Sequence, residues 1–283
     1  MSDRPPIYLL TDNGSLRPDA TFSLRRLAAQ LSEETGETVH PVSLLHSHKI
    51  APDKLDGTPA DTFERFILAR RESFGDSTFR VVPLFFGPSA AIVEYLPQRV
   101  VALRHEQAWP ELEVSVAPSL VDVGSPSDTR IARILAEIAT RCAELDGLRR
   151  PALALCDHGA PRRAVTAVRD HLASQLATLV ADRFSTIAPC SMERREGDAY
   201  SFNEPLLENL LGSSGFDGDV VVSLLFFQPG RHAGAGGDVA QICARAERAH
   251  PGLKSHMTDL VGTHPCLVPL LAERLRSLSP VAR

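Results

Sequence analysis

Apolar residues along this chain gather into eight short runs, and a stretch of helical periodicity follows each one. The runs are 7–11, 38–45, 79–86 and 112–117, then 152–156, 183–189, 220–227 and 253–261. Run 220–227 is almost wholly apolar and rich in β-branched and aromatic residues, as a strand buried on both faces should be. Between the runs, apolar residues recur every three or four positions. Leu24, Leu27, Ala28 and Leu31 share one face of a helix expected over 18–34. Further helices are expected at 59–71, from Ser89 through 103, and at 129–145, 164–179, 205–211, 239–250 and 266–278. Strand–helix alternation of this kind predicts an α/β fold with parallel sheets covered on both sides.

The order repeats itself. Leu10-Thr11-Asp12-Asn13-Gly14 reads against Leu155-Cys156-Asp157-His158-Gly159, and Phe85-Phe86-Gly87-Pro88 against Phe226-Phe227-Gln228-Pro229. The expected architecture is two tandem lobes, each a four-stranded parallel β-sheet flanked by helices, related by a pseudo-twofold. Residues 1–147 would form the first lobe and 148–283 the second. The halves differ in one respect that bears on chemistry. His158, His232 and His264 each follow an apolar run of the second half, where open α/β sheets place their ligands. The first half has Asn13 for His158, Ser89 or Ala90 near the place of His232, and Val123-Gly124-Ser125-Pro126 set against Val261-Gly262-Thr263-His264-Pro265. A single histidine is usually a surface or satisfied polar residue. Three at strand ends, all missing from the duplicate, point to one working site in the second half. His46 and His48 follow the second strand two residues apart and are not expected to hold a metal.

Composition narrows the classes. Over 283 residues, 43% hydrophobic and 23% charged residues describe an ordinary globular chain. A net charge of −5 gives no support to a nucleic-acid partner. No apolar run approaches the ~20 residues that cross a bilayer. The start, which runs straight into a strand, has no signal-peptide plan, so a cytoplasmic protein without a membrane partner is expected. Five cysteines without CxxC spacing read as reduced thiols. The loop 234–237 is glycine-rich but lacks GxGxxG spacing, and no GxSxG elbow occurs, so neither a nucleotide nor a serine hydrolase is expected.

Three segments carry a resemblance: Asp157-His158-Gly159, the Phe-Phe-x-Pro-Gly-Arg-His segment 226–232 with its following Asp238, and Gly262-Thr263-His264-Pro265. Together they resemble the class II, ATP-independent tetrapyrrole chelatases of the sirohydrochlorin cobaltochelatase and ferrochelatase type. Many members read Gly-His-Gly where this chain has Asp157-His158-Gly159. The resemblance implies a lyase of the cobalamin or siroheme route, acting on a tetrapyrrole substrate. The divalent metal substrate would be Co²⁺ or Fe²⁺, with Ni²⁺ also admitted, and the protein a monomer or homodimer. It makes His158 and His232 the metal-handling residues, with a glutamate after the second strand assisting. Glu193 matches best, with Glu196 and Glu204 as alternatives. His264 is a third candidate ligand. Arg162 and Arg231, with Arg163, would receive the carboxylates of the ring, and Asn13 would orient a ring carboxylate or a water. A metal or tetrapyrrole carrier without turnover is the alternative function.

Overall fold

The computed structural model describes residues 6–74, 78–234 and 236–278. The segment ahead of Pro6 and Ala235 of the glycine-rich loop lie outside them. By packing, the chain divides into two compact units, residues 1–120 with 265–283, and residues 121–264.

In the first unit the order is β1 (Ile7–Asp12), α1 (Pro18–Thr35), β2 (Val39–Ser43), α2 (Phe63–Ala69), α3 (Arg71–Phe74), β3 (Phe79–Pro83), α4 (Leu96–Glu106) and β4 (Val114–Val116). Its sheet is parallel, in the order β2-β1-β3-β4. Every residue of β1 is buried, because helices cover both faces of a parallel sheet. Helix α1 buries the expected stripe of Leu24, Leu27, Ala28 and Leu31 and stops at Gly36, whose φ of 72° lets its N–H reach Ser32 O.

The second unit opens with α5 (Arg130–Leu145). It continues with β5 (Ala152–Asp157), α6 (Arg163–Leu179), β6 (Ile187–Ser191), α7 (Leu207–Leu210), β7 (Asp219–Leu224), α8 (Asp238–Ala249) and β8 (Lys254–Met257). Its sheet repeats the first, in the order β6-β5-β7-β8, all parallel. The expected strand over 253–261 ends at Met257. Beyond it Thr258 turns its hydroxyl to accept from Leu224 N at 3.0 Å, and a short turn, Val261–Thr263, follows. Likewise β2 ends at Ser43, so His46 and His48 lie on a turn, with His46 at φ 64°.

Each closing helix packs away from its own half in chain order. Helix α5 lies on β7, β8 and α6, while the last helix, α9 (Leu267–Ser277), lies on α1 and β3. The duplicated strands keep the order expected for lobes 1–147 and 148–283, but packing groups 121–147 with the second sheet and the chain's end with the first.

The duplication reaches side-chain level. The N–H groups of Leu44 and Leu45 donate to Asp12 O and Asn13 O, as those of Met192 and Glu193 do to Asp157 O and His158 O. Leu45 therefore stands where the second unit has Glu193. Gly14 and Gly159 both have φ of 91°, and a Cβ on either would strike the carbonyl oxygen of Leu45 or Glu193. Val261 N–H bonds Phe226 O as Leu120 N–H bonds Phe85 O. His264 therefore corresponds to Val123, a register three residues away from the one read in the sequence. In the matching helices Thr21 corresponds to Thr166, and Leu24 to Arg169.

That last exchange has an electrostatic consequence. Asp12 is buried, and burial, partly opposed by the Ser43 hydroxyl, raises its pKa to about 6. An acid raised in the folded state binds its proton more tightly there than in the unfolded chain, where its pKa is about 4. Its cost to stability is absent below that value and complete once pH has risen past about 6. Asp12→Asn should therefore raise stability by on the order of 1–3 kcal/mol at pH 8 and leave it nearly unchanged at pH 4. Thermal unfolding of both proteins across that range checks this; equal gains at the two ends would refute it.

Candidate functional site

The sheet order explains why two distant histidines meet. From β5 the chain moves outward to β6 on one side, then crosses back to β7 on the other. The crevice outside the carboxyl ends of β5 and β7 is thus a topological switch point, the usual ligand position of open α/β sheets. The two strands pair in register, with Cys156 beside Leu224. His158 leaves the end of β5, and His232 sits on the loop that leads from β7 into α8. Their ring centroids are 4.5 Å apart with planes at 70°, an edge-on approach.

Hydrogen bonds set which nitrogen each ring offers. His158 Nδ1 lies 3.0 Å from Gly159 O. A carbonyl only accepts, so the neutral ring carries its proton on Nδ1 and leaves a lone pair on Nε2. His232 Nδ1 lies 2.7 Å from Asp238 Oδ2, which fixes the same tautomer. A carboxylate behind an imidazole also raises its basicity as a ligand. His158 Nε2 is 3.4 Å from Glu193 Oε1. Two donors bound to one ion at ~2.1 Å and a tetrahedral angle stand roughly 3.4 Å apart, so this spacing suits a shared cation. Among the described residues no group of three or more His, Cys, Asp or Glu side chains is assembled to hold a metal. The pair and Glu193 are therefore a candidate site, open and partial.

Of the three candidate glutamates, Glu193 is the one beside an imidazole. Glu204 is taken up by Arg194 at 2.7 Å and by Leu206 N–H at 3.0 Å, and Glu196 is exposed. His264 is directed at Glu137 of α5, with Nε2 to Oε2 3.2 Å. Arg162 is half-buried at the N-cap of α6; the exposed Arg163 lies over the Phe202 ring at 4.7 Å. Arg231 is exposed, its Nε 3.4 Å from Asp238 Oδ2. Beside the site an open pocket of about 400 Å³ is lined by residues that include Glu193, Arg194, Arg231, Asp238, Gln241 and Arg245. Asn13 is exposed in the first unit, in the turn that corresponds to His158.

The sequence reading quoted Asp238 without a role, although an acidic residue between a glycine-rich loop and an apolar helix is a helix-start signal. It missed Arg169 and Asn203, both buried beneath the His158 turn. Arg169 sits on the apolar stripe of α6 and Asn203 in a polar connecting segment, so neither stands out by spacing.

Residues 152–278 match the CbiX family. The CbiX match runs from β5 through α9 and so contains both histidines, and the resemblance to the class II tetrapyrrole chelatases holds. No curated protein sequence matches the chain. Among solved structures the fold is that of SirB from Bacillus subtilis with Fe³⁺ (14% identity, TM-score 0.68, covering 97% of this chain and 95% of that one). It is also that of CbiX, the terminal enzyme of siroheme biosynthesis in denitrifying bacteria (16%, 0.60, 98% and 100%). DR2241 from Deinococcus radiodurans, a multi-domain protein similar to chelatases, matches as well (17%, 0.60, 96% of this chain and 55% of that one).

If Asp238 orients His232, Asp238→Ala should weaken Co²⁺ binding by the protein alone by about 10–100-fold, the usual loss when the partner behind a ligating imidazole is removed. Titration followed by cobalt absorbance measures it, and unchanged affinity would refute the role.

Proposed function

We propose that this protein is a chelatase that inserts a divalent cation into sirohydrochlorin or a closely related tetrapyrrole. The carrying observation is the pair of imidazoles at the switch point, each with Nδ1 occupied and Nε2 free of that bond, with Glu193 3.4 Å from one of them. Co²⁺, Fe²⁺ and Ni²⁺ all accept imidazole and carboxylate donors, and a donor set of this kind does not choose among them.

In this reading His158 and His232 hold the incoming cation through Nε2, and Glu193 completes a weak site. Insertion replaces two pyrrole protons by one M²⁺, so two protons must leave for each ion transferred. Once the ion passes to the ring, the freed imidazole and carboxylate are bases at the right place to accept them. Side-chain exposures of 45% for His158 and 60% for Glu193 fit a site that releases its ion. His264, turned toward Glu137, belongs to this set as an accessory imidazole. Arg162, Arg163 and Arg231 supply cations for the ring's carboxylates. Asn13 is assigned a hydrogen bond to a ring carboxylate or water.

The test is purified protein with sirohydrochlorin and a panel of Co²⁺, Fe²⁺ and Ni²⁺, followed by the ring's absorption. Turnover beyond one equivalent supports the enzyme, and binding that stops at one equivalent identifies a carrier. His158→Ala and His232→Ala should each abolish turnover while leaving the fold intact, since both residues stand on turns; activity at the wild-type level in either defeats the mechanism. Asn13→Ala should weaken substrate binding only modestly, by about 0.5–1.5 kcal/mol, read as a change in KM. Damage as great as that from His158→Ala would move chemistry into the first unit.

A further inference from the structure

We propose that Arg169, acting through Ser191 and Asn203, is a positioning residue that sets the spacing between the His158 and Glu193 turns; this rests on the function proposed above. The Arg169 side chain is only 1% exposed. Its Nη1 donates to Ser191 Oγ at 2.5 Å and to Asn203 O at 2.9 Å, and its other nitrogens reach Asp170 and Phe202 O. Ser191, the last residue of β6, donates its own hydroxyl hydrogen bond to Asp157 Oδ1 at 2.6 Å, and Gly159 N–H donates to the same oxygen at 3.0 Å. Asn203 grips the far side of the turn. Its Oδ1 accepts from Ala160 N–H at 2.9 Å, and its Nδ2 donates to Ala160 O at 3.0 Å. His158 is thus held on both flanks, and Glu193 starts two residues beyond Ser191.

Burying a guanidinium is costly and is offset only when its donors are satisfied. The fold does not require it: the first unit, with the same strands and helix, has Leu24 at this position and a cavity of about 170 Å³ beside it. The two units differ here as they differ at Asn13 against His158 and Leu45 against Glu193. The buried cation occurs in the unit that carries the imidazoles, under the turns whose separation a shared metal ion would demand. The polar segment 194–206, which follows Glu193, supplies Asn203 to the same brace.

Arg169→Leu copies the residue of the first unit, Arg169→Lys keeps the charge without the fork of donors, and Ser191→Ala removes only the linking hydroxyl. Each is measured for Co²⁺ affinity of the protein alone, for kcat and KM in chelation, and for Tm. Positioning predicts that Arg169→Leu loses about 10–100-fold in Co²⁺ affinity and a comparable factor in kcat. KM for the tetrapyrrole and the cooperative unfolding transition should change little. Arg169→Lys should recover part of the loss, and Ser191→Ala should shift in the same direction by less. Wild-type Co²⁺ affinity and kcat in Arg169→Leu overturn the proposal, as do losses that only follow the folded fraction. Should Arg169→Leu fail to fold, Arg169→Lys and Ser191→Ala decide by the same affinity criterion. Wild-type protein that binds Co²⁺ without turnover defeats the chelatase reading alone, because the affinity comparison still judges Arg169. Wild-type protein that binds no Co²⁺ defeats both.

Discussion

The pairing of β5 with β7 is the constraint on which the candidate site depends. Neighbouring parallel strands lie about 4.8 Å apart, and these two are in register up to Cys156 and Leu224. Residues leaving their carboxyl ends begin as neighbours, whatever the length of chain between them. Only a short excursion is then needed to bring two rings to 4.5 Å. A slip of register along β7 would carry the His232 loop up or down by a residue's rise, about 3.3 Å, and break the contact. The buried Val220, Val221 and Val222, all fully covered, hold that register because any slip must move them against both helical layers.

What stands beneath the turns is a polar layer in an otherwise apolar interior. The two units handle the same buried aspartate differently. Asp12 has hydroxyl company and a pKa raised to about 6 by burial. Burial also raises Asp157, but the Ser191 hydroxyl and the Arg169 guanidinium oppose it. The difference begins with one helix position, Leu24 against Arg169. Choosing arginine there commits the chain to satisfying a buried fork of donors, and Ser191, Asp170, Phe202 and Asn203 do so. A satisfied network in low dielectric is stiff, since every shift breaks a bond that water cannot replace. If the turns of His158 and Glu193 handle a metal as proposed, stiffness beneath them offsets its desolvation cost in a way that it would not beneath Asn13 and Leu45.

Much of the fold was legible in the sequence because its periodicities are local. Parallel strands buried on both faces leave apolar runs, and helices leave stripes; both survived as β1 to β8 and α1 to α9. The histidines were legible because duplication supplied an internal control. What escaped depends on information that a stripe does not contain. The apolar faces of α5 and α9 record that each is buried, not which sheet buries it, and each packs on the sheet of the other half. The ends of β2 and β8 escaped because the apolar letters run on after the ladder stops, once Thr258 and the turns at His46 and Val261 take over the backbone's hydrogen bonds. The register of His264 slipped for the same reason. Gly124 and Gly262 look equivalent in letters, yet it is Leu120 and Val261 that make the matching bond.

A site meant to keep a metal and a site meant to hand it on should differ in their donor sets. Closed structural sites gather four protein ligands, and catalytic ones keep at least one position open. The arrangement here is more open still. Two imidazoles are oriented from behind by Gly159 O and Asp238, and one exposed carboxylate stands beside that of His158. Among the described residues no group of three or more such side chains is assembled to hold a metal. Strength has been placed in orientation rather than in ligand number. The Nδ1 partners fix where each lone pair points, so under the proposed function a cation would find its donors ready and need little to reorganise them. With few donors, it would also lose little when pyrrole nitrogens replaced them. Transfer, as proposed for this protein, needs both properties at once. A third strong ligand would secure the first and forfeit the second.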